Sequence, residues 1–201
     1  MPTPTIPGYR FYEYLLVLDP HDDLCERIKK VKAEFGEKYK APLASSKAHV
    51  TLVKFLTLGM MEEKIIHRLH TIAMGAVPFK IELKDFGSFP SHTIYINITT
   101  KLPIQNLVKE LKQAQRLMKS HPEFTPHFIM ESHLTIARGL KPWQYEQGWL
   151  EYSHRNFTGR FIADSMLLLK RPATEEGPYR PVKRFEFENL PVNTKQGSLF
   201  L

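Results

Sequence analysis

Two four-residue motifs of the same pattern could supply acid–base chemistry. His49-Val-Thr51-Leu and His133-Leu-Thr135-Ile lie 84 positions apart, and each sits in a run typical of a β-strand. Because alternate side chains of a strand share a face, each histidine should lie beside its threonine while the aliphatic residues point into a core. Two imidazoles can divide acid and base roles near pH 7, and two hydroxyls can donate hydrogen bonds to an anion. This combination suits transfer at a phosphorus centre.

The composition is that of an ordinary globular protein with a basic surface. The 201 residues are 42% hydrophobic and 24% charged, which fits one domain of generous size or two small lobes sharing a core. The net charge of +7 favours an anionic partner such as RNA or a nucleotide, although a generic basic surface gives the same value. The single cysteine, Cys25, excludes an intramolecular disulfide, disfavours a cysteine-based zinc site and fits a reducing compartment.

The sequence contains no evident targeting or membrane segment. Residues 1–8 lack a basic stretch followed by a long apolar one, so we expect no signal peptide. No run of about 18 apolar residues is long enough for a membrane helix. We therefore expect a cytoplasmic protein with no membrane partner. We also expect a monomer.

Hydrophobic periodicity predicts an alternation of strands and helices. The predicted strands cover about 11–18, 48–56, 79–83, 93–98, 132–137, 158–170 and 180–188. The predicted helices cover about 24–35, 60–75 and 103–119, with a short one inside 142–152. The order strand, helix, motif strand, helix, strand occurs twice, with a motif histidine at the same place in each copy.

This repetition predicts a duplicated architecture. We expect a single bilobal domain over 1–201, with pseudo-repeat lobes at about 11–89 and 93–170 and a closing strand at 180–188. A pseudo-two-fold axis would bring the two motif strands together at the centre. His49 and His133 would then face each other across one cleft, close enough to flank a single phosphate.

The paired motifs resemble the two HxTx motifs of the 2H phosphoesterase superfamily. Phe55 after the first motif, and Ala137-Arg138-Gly139 after the second, are similar to its bacterial 2′-5′ RNA ligase-like branch. The resemblance spans about 11–188. Many members carry proline just before the motif histidine, where this chain has Ala48 and Ser132.

The resemblance implies a fold and an activity. The fold would be α+β and LigT-like, with two antiparallel sheets flanking a central cleft and helices outside. The activity would be a phosphodiesterase, without metal or cofactor, on the 2′,3′-cyclic phosphates of RNA ends or nucleotides, or on 2′-5′ linkages. ATP-independent RNA ligation would be the reverse reaction.

The predicted site consists of two catalytic histidines and two substrate-binding threonines. The resemblance favours His49 as the proton donor and His133 as the acceptor, whereas the residues themselves are symmetric and assign neither role. Thr51 and Thr135 would bind the non-bridging phosphate oxygens, where charge develops.

Two alternative functions compete with this hypothesis. A non-catalytic RNA- or nucleotide-binding module could keep the fold, but it would be expected to have lost a motif histidine or threonine, and all four are present. A zinc hydrolase needs three or four ligands, whereas the motifs offer two good ones.

Several residues near the motifs are ambiguous. Lys47 shares the face of His49 by alternation, and Glu131 shares that of His133. Strict alternation places Arg138 on the opposite face, outside the site. Four aromatic residues could stack on a base, although packing is the default expectation for each: Phe89, Tyr95, Trp143 and Tyr179.

Overall fold

Two antiparallel sheets carry the motifs. The computed structural model describes residues 10–42, 47–119, 121–174 and 177–190, so the prediction made for residues 1–8 lies outside them. The strands are β1 (Phe11–Leu18), β2 (Val50–Leu58), β3 (Phe79–Phe89), β4 (Thr93–Ile98), β5 (His127–Phe128), β6 (His133–Arg138), β7 (Thr158–Ala163), β8 (Ser165–Pro172) and β9 (Arg180–Glu186). The helices are α1 (Asp22–Tyr39), α2 (Glu62–Gly75), α3 (Leu102–Leu111), α4 (Gln115–Met118) and α5 (Pro142–Tyr152).

The strand orders of the two sheets correspond to each other. The first sheet has the order β5-β2-β1-β8-β9, and the second has the order β6-β4-β3-β7. In each, the motif strand pairs with the opening strand of its lobe, β2 with β1 and β6 with β4. The α+β fold with two antiparallel sheets is therefore confirmed, and the duplication stays a prediction that this correspondence supports.

The helices cover one face of each sheet. A helix does not always pack against the sheet that contains the strands next to it in the sequence. Helix α1 connects two strands of the first sheet but packs against β6 and β7 of the second, while α3 and α4 pack against β2. The buried residues form one apolar core that extends through both sheets. None of the helices in the described part of the chain is long and apolar enough to cross a membrane.

Two predicted elements are divided in the structure. The strand expected over 158–170 breaks at Asp164 into β7 and β8, which belong to different sheets. Apolar residues stand on both sides of Asp164 and Ser165, and a polar interruption of two residues does not by itself reveal a crossing between sheets. The helix expected over 103–119 is α3 and α4 joined by the 3-10 turn Lys112–Ala114.

The strand predicted over 79–83 is longer than expected. Strand β3 continues to Phe89 past Asp85, which has φ 55° and lies at an irregularity in the pairing with β4. The Asp85 amide donates to the carbonyl of Phe157 (2.7 Å), and its carboxylate accepts from the Phe157 amide (3.1 Å). These bonds satisfy the backbone where strand pairing is interrupted.

Gly148 in α5 tests the packing of the helix pair on the second sheet. A Cβ there would lie 2.7 Å from two atoms of the buried Phe35 ring of α1. Overpacking typically costs about 1–3 kcal/mol, whereas replacing a helical glycine by alanine gains about 1 kcal/mol of propensity. We expect Gly148→Ala to lower the free energy of unfolding, by up to about 2 kcal/mol, in urea titration.

The control for this substitution is Gln147→Ala, at an exposed position of the same helix. It should change the free energy of unfolding by less than about 0.5 kcal/mol. A stabilised Gly148→Ala variant would contradict the tight contact between α1 and α5.

Candidate active site

The two motif strands belong to different sheets and come together where the sheets meet. β2 and β6 approach each other in space. His49 immediately precedes β2, and His133 is the first residue of β6, so each histidine stands at the start of its strand. The structure therefore places the two motifs in one region of the molecule, as the repeated layout predicts.

Each motif strand contains an extra residue at the same place. In the pairing of β1 with β2, Val17 faces Thr51 and the preceding Leu16 faces Val53, so Leu52 has no partner. In the pairing of β4 with β6, Tyr95 faces Thr135 and Ile94 faces Ala137, so Ile136 has none. The fourth residue of both motifs is therefore a β-bulge, and a bulge reverses the alternation of the residues that follow it.

The bulges bring a cation to the histidine side of each strand. We call this side, which carries the motif histidine and threonine, the motif face. Beyond the bulge, Val53 and Ala137 point into the core, and the next residues, Lys54 and Arg138, are exposed. The prediction that Arg138 lies opposite His133 is wrong, because strict alternation ignores the bulge. Arg138 shares the motif face with His133 and Thr135.

The two imidazoles have the same orientation relative to their strands. His49 Nδ1 lies 2.8 Å from the carbonyl oxygen of Lys47, and His133 Nδ1 lies 3.2 Å from that of Glu131. A carbonyl oxygen can only accept, so Nδ1 carries the proton in this arrangement. In a neutral imidazole, Nε2 is then the acceptor that remains for chemistry.

Aromatic rings surround His133. Its ring centroid lies 4.9 Å from that of Phe89, at an interplanar angle of 84°, and 4.9 Å from that of Tyr95. A Cβ on Gly87, which pairs with Tyr95, would lie 2.6 Å from the Tyr95 ring. The absence of a side chain at Gly87 therefore lets the Tyr95 ring lie against β3, beside His133.

Burial lowers the pKa of both histidines below the ordinary value of 6.5, because it disfavours the charged imidazole. The hydrogen bonds to the carbonyls of Lys47 and Glu131 act in the opposite direction. For His49, repulsion from the cations Lys32 and Arg138 lowers the pKa further. The neutral form of each imidazole is therefore favoured in the free protein, and His49 carries an additional electrostatic bias.

Lys32 is a functional candidate that the sequence reasoning missed. It belongs to the stripe of α1 that also contains Ile28 and Phe35, and its side chain is only 8% exposed. Burial lowers the pKa of Lys32, and the nearby Arg138 lowers it further. The signal available in the sequence was a charged residue at a position that helical spacing can place among the apolar ones. The same spacing fits equally well with Val31 on the buried face of the helix, and this left Lys32 outside it.

The remaining candidates have ordinary partners or exposed positions. Thr51 and Thr135 are half-buried on the motif face. Lys47 pairs with Asp22 (3.1 Å), and Glu131 pairs with Lys101 (3.6 Å), so the backbone of Glu131 rather than its carboxylate contacts His133.

Trp143 and Tyr179 are the remaining candidates for stacking on a base. Trp143 is exposed on α5, and Tyr179 lies under the Arg171 guanidinium, 4.7 Å from it. No group of three or more histidine, cysteine or acidic residues within the described ranges could hold a metal ion.

Comparisons with known proteins identify what the chain is similar to. The model of the 2′-5′ RNA ligase superfamily matches residues 20–175. The crystal structure of E. coli LigT in apo form is 18% identical, covers 88% of this chain and 98% of its own, and has a TM-score of 0.61. A structure titled as a phosphoesterase is also 18% identical, with coverages of 89% and 98% and a TM-score of 0.58.

A third similar structure contains a nucleotide. The E. coli LigT complex with 3′-AMP is 16% identical, with coverages of 89% and 98% and a TM-score of 0.58. The comparison with curated proteins found no match. At these identities the solved structures establish the fold, and the superfamily assignment rests on the family model.

The electrostatic link between Lys32 and His49 generates a prediction that needs no substrate. Lys32→Met keeps a long buried side chain and removes its charge, so the pKa of His49 should rise toward 6.5 while burial still holds it lower. The pKa of His133, on which Lys32 has no resolved effect, should change less. Both values can be read from NMR titration of the imidazole signals.

The matched control is Lys30→Met, which removes an exposed lysine from the same helix. It should leave both imidazole titrations close to those of the wild type, because exposed charges are screened by solvent and salt. An unchanged or lowered pKa of His49 in Lys32→Met would contradict the proposed electrostatic contact.

Proposed function

Because the chain belongs to the 2′-5′ RNA ligase superfamily, we propose that it is a metal-independent phosphodiesterase acting on 2′,3′-cyclic phosphates of RNA ends or nucleotides. Cleavage of a 2′-5′ linkage to a cyclic phosphate and a 5′-hydroxyl is a second reaction of the same chemistry, and RNA ligation is the reverse of that cleavage. The observation that carries the proposal is the duplicated motif geometry. Both histidines bond a carbonyl two residues earlier through Nδ1, and both strands bulge at the fourth motif residue.

The mechanism follows from two imidazoles that share one phosphate. The neutral imidazole accepts a proton at Nε2 from a water molecule as the water oxygen attacks phosphorus. The protonated imidazole donates from Nε2 to the ribose oxygen as its bond to phosphorus breaks. The products are a phosphomonoester and a free ribose hydroxyl, and the two histidines have exchanged protonation states.

The motif face supplies groups that bind the anion. The hydroxyls of Thr51 and Thr135 donate to the non-bridging oxygens, where charge builds up in the transition state. Arg138 is exposed on the same face and forms no ion pair among the residues that the structure describes. Its planar guanidinium can donate two hydrogen bonds to a phosphate. Solved structures of LigT with 3′-AMP and with phosphate are in keeping with a nucleotide or phosphate ligand.

Two observations favour opposite assignments of the acid and base roles to the histidines. The superfamily resemblance favours His49 as the acid. The charges of Lys32 and Arg138 favour the neutral form of His49 in the free protein, which suits the base. A bound phosphate carries the opposite charge and offsets these cations, so the roles must be assigned with substrate present.

Removal of either histidine should abolish most of the activity. General acid or base catalysis by one side chain contributes about 10²–10⁴-fold, so His49→Ala and His133→Ala should each reduce kcat on a 2′,3′-cyclic nucleotide at least about a hundredfold. The double variant should be much less than multiplicatively worse, because both residues serve one proton-transfer cycle. Thr51→Ala or Thr135→Ala should cost about tenfold, since one hydrogen bond to the anion is lost.

The lowered pKa values predict the direction in which kcat/KM changes with pH. The base must be neutral and the acid protonated, and both imidazoles have a pKa below 6.5 in the free protein. The bell-shaped profile of kcat/KM, which reports the free enzyme, should therefore decline above about pH 6.5.

The control for the two histidine substitutions is His70→Ala, on the exposed side of α2, which should keep wild-type turnover. A folded His49 or His133 variant with near-full turnover would refute the two-histidine mechanism.

A sulfur-containing substrate distinguishes the acid from the base. Replacing the leaving ribose oxygen by sulfur removes the need for an acid, because a thiolate leaves without protonation far more readily than an alkoxide. The alanine variant of the acid should recover activity on this substrate, whereas that of the base should not. Nucleotide binding without turnover by the wild type would favour the non-catalytic module instead.

The chelator and salt responses give a separate test of the chemistry. Activity on a cyclic phosphate should persist in excess EDTA, because side chains supply both proton transfers. It should fall as salt is added, because screening weakens the attraction of the anion to Arg138 and the other cations of the basic chain. Activity that disappears on chelation and returns with zinc would favour a metal-dependent hydrolase.

A further inference from the structure

An aromatic cluster on the second sheet borders the proposed site. Phe89 makes three ring contacts, with centroid distances of 4.9 Å to His133, 4.8 Å to Tyr95 and 6.5 Å to His92. Its ring is nearly parallel to that of His92, at 19°. Phe89 is nevertheless 38% exposed, which leaves part of a large aromatic surface accessible beside a proposed catalytic imidazole.

The backbone holds this aromatic surface in place. Phe89 ends β3 at a tight hairpin, in which the amide of His92 donates to the Phe89 carbonyl (3.4 Å) and Ser91 has φ 71°. The amide of Leu140 donates to the His92 carbonyl (3.2 Å), which ties the hairpin to the chain that follows β6. These bonds fix the backbone of Phe89, and its three ring contacts hold the side chain, so that less order has to be imposed when a ligand binds.

Strand register aligns the ring with a cation. Phe89 pairs with Thr93, and Thr93 pairs with Arg138, so the three residues form one row across the motif face. Two strand spacings separate the backbone of Phe89 from that of Arg138, roughly 10 Å. A phosphate bound near Arg138 and a planar group over Phe89 would match the two ends of one nucleotide.

We propose that Phe89, with Tyr95 beside it, is the platform on which the base of a bound nucleotide stacks. The proposal rests on the proposed function for the position of the phosphate, and it adds a specificity element to that site. Stacking on an aromatic ring is tolerant of base identity, because every base has a π-face. The platform therefore selects for substrates that carry a base without selecting among bases.

Other surfaces near the motifs are less suited to a base. On the first sheet, the residues in the row of Thr51 and Lys54 are aliphatic, Val17 and Leu15. Burial raises the pKa of the Tyr179 phenol, and its hydrogen bond with Glu13 raises it further. Arg171 covers the Tyr179 ring, whereas Phe89 is 38% exposed.

The experiment compares a nucleotide with a base-free analogue. kcat/KM is measured on adenosine 2′,3′-cyclic phosphate and on methyl riboside 2,3-cyclic phosphate, and their ratio is the readout. Stacking of one base is worth about 5- to 150-fold in affinity, so Phe89→Leu should lower the ratio by a factor in this range. Phe89→Trp should restore it. Trp143→Leu, which removes an exposed aromatic residue from α5, should leave it unchanged.

The ratio separates stacking from support of His133. If Phe89 merely packs against the imidazole, both rates fall together and the ratio stays constant, which would overturn the proposal. An unchanged ratio with unchanged rates would overturn it equally.

The same comparison is made by calorimetry with adenosine 3′-phosphate and methyl riboside 3-phosphate. A wild-type protein that binds the nucleotide without turnover would refute the proposed function, whereas the ratio of affinities in Phe89→Leu would still test the stacking.

Discussion

One extra residue in each motif strand determines which side chains meet a ligand. Leu52 and Ile136 have no partner in the neighbouring strand, so the following residue turns into the core and the next one returns to the motif face. Without the bulges, Lys54 and Arg138 would point into the apolar interior, where an unpaired charge is very costly. The bulge therefore reconciles two demands on one strand: a continuous buried surface on one side, and a histidine, a threonine and a cation on the other.

The equivalent cations serve different purposes in the two halves. Lys54 pairs with Glu13, which also binds Arg171 (2.6 Å). Burial alone would raise the pKa of Glu13, but hydrogen bonds from Lys54, Arg171 and Tyr179 lower it below its ordinary value. Lys54 thus joins β2 to its neighbours in the first sheet, while Arg138 faces solvent. A nearly symmetric sequence pattern consequently produces an electrostatically asymmetric site.

Periodicity predicted the parts of the fold that depend on local patterns. The two-sheet α+β architecture agrees with the alternation of the strands, and so does the position of half-buried Thr51 and Thr135 on the side opposite the buried aliphatic residues. The division of 158–170 between two sheets could not be predicted, because a strand's sheet depends on its partners, and the short polar interruption at Asp164 and Ser165 is also compatible with one continuous strand. The same limit applies to Arg138, whose side depends on a bulge that only the pairing with β4 reveals. Lys32 was missed because the periodicity of α1 is compatible with a buried stripe through either Val31 or Lys32. The structure buries Lys32.

The buried position of Lys32 links the fold to the proposed chemistry. A lysine in an apolar helix stripe costs stability, since desolvation penalises its ammonium group. Helix α1 joins two strands of the first sheet yet packs against β6 of the second, so it brings this charge to the junction of the two motif strands. There the charge acts on His49 and adds to that of Arg138. A site for an anion can use such a charge only after both sheets have assembled, because α1 is connected in the chain to the first sheet and packs against the second. The duplicated motif is thus necessary for the proposed reaction, and the crossing of α1 between the lobes makes its two copies unequal.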